Sequence, residues 1–185
     1  MRKVIASLAA VGLLALAAPV GAEGPVEGTV RVVEPAGWDV GPCPGIGWVG
    51  ELEIRGHGEM DGMYGFQLYH TDFGTDTNSV FVDDWWRWSE YFAVHDAPFE
   101  LDEDGNIVDC EPGEVVLQGY DGGVGNLTLN EFWDTGYVAM AAGPFEGLEG
   151  AMTFQLGHFT EFNEEITMPD GNAYPTAFEA SFRVE

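Results

Sequence analysis

"VDDWWRWSEYF", residues Val82 to Phe92, sets three tryptophans around one of the few arginines in the chain. Read with a period of two, Val82, Asp84, Trp86, Trp88, Glu90, Phe92 and Val94 share one face. Asp83, Trp85, Arg87, Ser89 and Tyr91 share the other. Successive strand side chains point to opposite faces, so this is the pattern of a strand with one apolar side and Glu90 in its middle. Read as a helix, Trp85, Trp88 and Phe92 align behind a cap at Asp83 or Asp84. Aromatic enrichment favours the strand.

The same alternation recurs on both sides of this stretch. In "ELEIR" Leu52 and Ile54 oppose Glu51, Glu53 and Arg55. "MYGFQLYH" aligns Tyr64, Phe66, Leu68 and His70, and "AMTFQLG" aligns Met152, Phe154 and Leu156. "AFEASFRVE" sets Phe178, Ala180, Phe182 and Val184 against Glu179, Ser181, Arg183 and Glu185. Turn chemistry separates these segments at "EPAG", "GHGEMDG", "DEDGN", "DGGVGN" and "PDGN", where glycine supplies positive φ and Asp or Asn closes the turn. Nine or ten short strands so spaced predict an all-β, single-domain antiparallel β-barrel, with a β-sandwich as the alternative. Closure gains weight because it removes exposed strand edges.

The first 22 residues read as a secretory signal peptide: a basic start, "MRK", an apolar run, and small residues ending at Ala22, with a lone transmembrane anchor as the alternative. Residues 23–185 then form the barrel domain, secreted and extracellular. Export makes one Cys43–Cys110 disulfide the default for the two cysteines. Closing so long a loop stabilises by about 4 kcal/mol on the chain-entropy model.

Charge is the most unusual property. The formal net charge is −26, and once Arg2 and Lys3 leave with the signal only Arg31, Arg55, Arg87 and Arg183 oppose 32 acidic residues. Such a chain repels nucleic acid and anionic membranes, which excludes both as partners. The acids are scattered among apolar residues, as on a solvated surface in a salty habitat or, as the alternative, for binding divalent cations, rather than gathered in a disordered tail.

"GYVAMAAGPFEGLEGAMTF", Gly136 to Phe154, resembles a segment of the allene oxide cyclase and dirigent barrel group. There an apolar strand runs into a Gly-x-Phe-x-Gly turn and a further glycine opens the next strand. The matching residues are Tyr137, Ala139, Gly143, Phe145, Gly147 and Gly150. The resemblance implies an eight-stranded antiparallel barrel around an apolar cavity, with Phe145 plugging the barrel end. It carries over no catalytic residue, and fold alone does not assign activity.

Several sites follow. An interior lined by Tyr64, Phe66, Trp86, Trp88 and Phe92 suits an apolar small molecule, although aromatics also dominate ordinary cores. Glu90 among tryptophans would lose hydration, which raises its pKa and suits a general acid or base in a cyclase-like or isomerase-like enzyme. "ELDEDGNIVDCE" places Glu100, Asp102, Asp104, Gly105 and Glu111 at EF-hand-like spacing, so Asp102, Asp104 and Glu111 are candidate Ca²⁺ ligands. A plain hairpin explains the same residues, and Pro112–Gly113 forbids a following helix. No other cofactor is implied. Exposed Trp85 and Tyr91 offer a carbohydrate-binding alternative. The triplet "NLT" at Asn126 argues for a surface turn. His57, His70, His95 and His158 show no paired ligand spacing, and Walker A, Rossmann and Gly-x-Ser-x-Gly patterns are absent from the chain.

Overall fold

The computed structural model describes residues 24–34, 46–69, 79–82, 84–148, 150–167 and 171–185. The apolar amino-terminal run, Cys43, His70 and most of the long loop after β1 lie outside the described residues. Nine strands are described: β1 (Val26–Val33), β2 (Ile46–Ile54), β3 (Gly62–Tyr69), β4 (Ser79–Val82), β5 (Trp85–His95), β6 (Val115–Asn126), β7 (Glu131–Ala141), β8 (Gly150–Thr167) and β9 (Ala173–Val184).

All pairings are antiparallel, in the order β3-β2-β1-β9-β8-β7-β6-β5-β4. A further pairing, β3 with β5, closes the sheet into a barrel and removes the sandwich alternative. Tyr69 lies opposite Tyr91, and farther along β5 Ser79 lies opposite Trp88. Strands β3 and β4 therefore lie end to end beside β5, as one stave interrupted by an insertion. Nine strands thus make an eight-staved barrel. Full closure leaves few unpaired backbone groups for another chain to engage.

The decisive stretch is a strand. Along β5, Trp86 and Phe92 are buried, Trp88 and Glu90 are half-buried, and Trp85, Arg87, Ser89 and Tyr91 are exposed. Inward residues from every stave meet in one core: Val30, Leu52, Phe66, Phe92, Leu117, Val138, Phe159 and Phe182 are all within it. Phe145, in a 3-10 turn at Gly143–Phe145, is also buried and meets the Tyr64 ring edge-on at 4.9 Å.

"DGGVGN" is not a turn. Strand β6 runs straight through it to Asn126, and the chain reverses at residues 127–130, where Asn130 takes φ 57°. Its alternate glycines, Gly123 and Gly125, serve the interior instead, as does Gly119 earlier on β6. A Cβ at Gly123 would sit 2.3 Å from the Trp88 ring, and one at Gly119 would sit 2.6 Å from the Phe92 ring. Removing side chains on β6 lets the rings of β5 lie across its backbone. Asn126 likewise does not stand on an exposed turn. It is buried, its amide donating to Asp84 Oδ2 at 3.0 Å and its Oδ1 accepting from Leu129 N–H at 2.8 Å.

Between β5 and β6 the chain forms a flap on the outside of the barrel. Asp96 N–H donates to the Glu114 carbonyl at 3.0 Å, and Glu114 N–H donates to Asp96 Oδ1 at 2.8 Å. Ile107 packs on Val49, with Phe99 and Cys110 partly buried beside them.

Candidate functional site

Residues on three neighbouring staves converge inside the barrel. Glu90 of β5 lies directly opposite Asp121 of β6. Asp121 faces Gly136 of β7, and Asp134 stands two residues from Gly136 on the same inward face. One carboxylate oxygen from each of Glu90, Asp121 and Asp134 lies within 4.8 Å of the others. Along the strands this acidic layer sits between the Phe92 layer and the layers of Trp88 and Trp86. It is enclosed by apolar surface on both sides.

Like charges placed opposite one another destabilise a sheet, and burial removes the water that would screen them. Desolvation, then the charge of Asp134, pushes Glu90 well above the usual carboxylate range. Desolvation, then Asp134 and Glu90, does the same to Asp121. Asp134 is buried too, and its pKa is raised to about 7. It is held lower than its neighbours by hydrogen bonds that favour the ion: Trp88 Nε1–H donates to Oδ2 at 3.0 Å and Gly122 N–H to Oδ1 at 3.2 Å. Both oxygens of Asp121 are buried without a hydrogen-bond partner. The group therefore retains protons near neutrality, and Asp134 is its best-supported anion.

The aromatic wall is continuous with this layer. Trp86 and Trp88 have ring centroids 4.8 Å apart, Trp88 meets Phe132 edge-on at 5.7 Å, and Trp86 stacks on Phe159 at 5.9 Å. Trp88 and Glu90 point inward yet are only half-buried, so water reaches the wall at these two residues.

Of the residues singled out from sequence, Glu90, Trp86 and Trp88 come together here. Phe92 borders the acidic layer and stacks on Phe66 at 6.2 Å. Tyr64 is committed to Phe145 and donates its hydroxyl to the Met60 carbonyl at 3.0 Å. The EF-hand-like stretch is a small hairpin with Leu101 bridged to Ile107. Asp102 Oδ1 accepts from the Asp104 and Asn106 backbone N–H groups, both at 2.9 Å, and those bonds from Asn106 and Asp104 hold its pKa down. Among the described residues, Asp102, Asp104 and Glu111 do not form a converging group, and the only three side chains that do are Glu90, Asp121 and Asp134.

Asp121 and Asp134 escaped sequence reasoning. Asp121 was absorbed into a glycine-rich stretch that looked like a turn. Asp134 carried a usable signal: in "EFWDTGYV" it alternates inward with Phe132 and Val138, as Glu90 does with Trp88 and Phe92. Hard carboxylate oxygens in this number also suit a divalent cation. No family model, curated protein or solved structure matches this chain.

Proposed function

We propose that the chain is an exported barrel that takes a small molecule with an apolar body against Trp86 and Trp88 and moves a proton on it with the buried carboxylates. The observation that carries this reading is the convergence of Glu90, Asp121 and Asp134 inside the barrel. Titratable groups whose surroundings push their pKa values apart are natural acid and base partners. Glu90 is the water-reachable acid that donates a proton to one atom of the ligand. Asp134, the readier anion, accepts one from the set or from the ligand. Donating at one atom and removing at another shifts a double bond or closes a ring with no oxidant, the chemistry of an isomerase or cyclase. The eight-staved barrel is the architecture that the resemblance around Gly136 to Phe154 implies. Export rests on the amino-terminal 22 residues, and the Cys43–Cys110 disulfide follows from export.

The test uses the neutral apolar fluorophore N-phenyl-1-naphthylamine, read by energy transfer from tryptophan between pH 5 and 9. The wild type should bind it with a pH dependence centred near the Asp134 value of about 7. Glu90→Gln and Asp134→Asn should flatten that dependence. Absence of binding to the wild type, or an unaltered profile in both variants, removes the proposal.

A second reading is favoured by the two unpartnered oxygens of Asp121: the three carboxylates hold a divalent cation. Millimolar Ca²⁺ or Mg²⁺ should then raise the melting temperature of the wild type and leave Asp121→Asn unchanged.

A further inference from the structure

Opposite the acidic layer, the outer face of the same three staves is built differently from the rest of this acidic molecule. Tyr91, Tyr120 and Tyr137 lie side by side across β5, β6 and β7. Four residues along, Arg87, Val124 and Trp133 form a second row, with Trp85 just beyond Arg87. Ser89, Gly122 and Thr135 lie between the two rows. The five aromatic side chains are each 40–53% exposed. At ~3.3 Å per residue the rows stand roughly 13 Å apart, which leaves a trough with a floor of two hydroxyls and a glycine.

This face departs from the charge pattern of the chain. The outward positions from Trp85 to Tyr91, Gln118 to Val124 and Trp133 to Ala139 contain no carboxylate in a protein with 32 acids. Arg31, Arg55 and Arg183 each pair with glutamate, whereas Arg87 has no ion pair among the described residues. We propose that this trough binds a neutral polysaccharide, whose pyranose rings lie against the aromatic ridges and whose hydroxyls meet Ser89, Thr135 and Arg87.

The chemistry selects this occupant. Flat rings interspersed with short hydroxyl side chains and a guanidinium with no ion pair among the described residues match a ligand with apolar ring faces and many hydroxyls. A chain of net charge −26 repels an acidic polymer. A second copy of the chain would bring the same net charge to the contact, and the face offers only Val124 and Ala139 as aliphatic surface for it. The proposal is independent of the interior site, since its residues point away from the barrel core.

The experiment is affinity electrophoresis and calorimetry against soluble β-glucan, xylan, mannan and dextran, with polygalacturonate as the acidic control. At least one neutral polymer should bind. Trp133→Ala and Tyr137→Ala, both at exposed positions, should weaken it about tenfold, the effect of losing one anchor side chain. Thr135→Leu should weaken it as well, because it makes the trough floor apolar. Circular dichroism confirms that each variant keeps its strands. Binding to none of the neutral polymers, preference for polygalacturonate, or unchanged affinity in all three variants overturns the proposal. So does a concentration-dependent dimer that Trp133→Ala dissociates and Thr135→Leu strengthens, which assigns the face to a second copy.

Discussion

Asp121 concentrates the energetic cost of the interior site. Its two oxygens are buried, unpartnered and within reach of two further carboxyl groups. An uncompensated buried charge destabilises by several kcal/mol, so the group keeps a proton instead. Replacing it with the neutral isostere removes the chance of ionisation. We expect Asp121→Asn to stabilise the fold by about 1–3 kcal/mol at pH 8, measured by urea unfolding. The pH dependence has a definite sign. The Asp134 carboxyl, 3.8 in its ordinary state, is raised to about 7 on folding, so the native state binds the extra proton between those values. The stability this provides is complete below 3.8 and is lost as pH rises past about 7. Glu90 and Asp121 act in the same direction. Unfolding midpoints should therefore fall from pH 4 to pH 8, and the fall should shrink in Asp134→Asn. A slope that is the same in the variant would mean that surface charge alone sets it.

Strand β6 supplies the space that β5 and β7 fill. A Cβ at Gly123 would meet the Trp88 ring at 2.3 Å and Asp134 Oδ2 at 2.9 Å. One contact is a packed aromatic ring and the other is an oxygen already bonded to that ring, so neither yields freely. Gly123→Ala should cost about 1–3 kcal/mol by overpacking, read as a lower urea midpoint, and should disturb tryptophan fluorescence through Trp88. This element also marks the limit of local reading. Glycine, Asp and Asn crowded into "DGGVGN" satisfy every rule for a turn. The rule fails because the neighbouring staves carry large rings at matching register, and a strand beside them needs empty positions. On β5 the alternation was legible, because Trp86, Trp88 and Phe92 fall on one face and Trp85, Arg87, Ser89 and Tyr91 on the other.

The whole molecule is a closed barrel whose charge is almost entirely negative. The described ion pairs are few and exposed, as between Arg31 and Glu179 and between Arg183 and Glu27, and pairs of that kind contribute little. Self-repulsion among the remaining acids is screened by salt, over about 10 Å at 0.1 M and about 3 Å at 1 M. The melting temperature should rise by several degrees between low and molar sodium chloride, by scanning calorimetry, if screening relieves this repulsion. An unchanged melting temperature would mean that the acids lie too far apart to repel one another.

Alternating side chains along "ELEIR", "WWRWSEYF" and "AFEASFRVE" determined that this chain makes half-buried strands and which residues of each face inward. Composition determined that the chain carries a net charge of −26, which repels other polyanions. Tertiary structure alone decided that β3 and β4 form one stave, that Glu90 meets Asp121 and Asp134, and that the tyrosines of three strands stand in a row. Facing is a local property, since it depends on a two-residue period within one strand. Which facing residues become neighbours depends on register between strands, and that is set by closure of the barrel and by rings seeking the glycines opposite them.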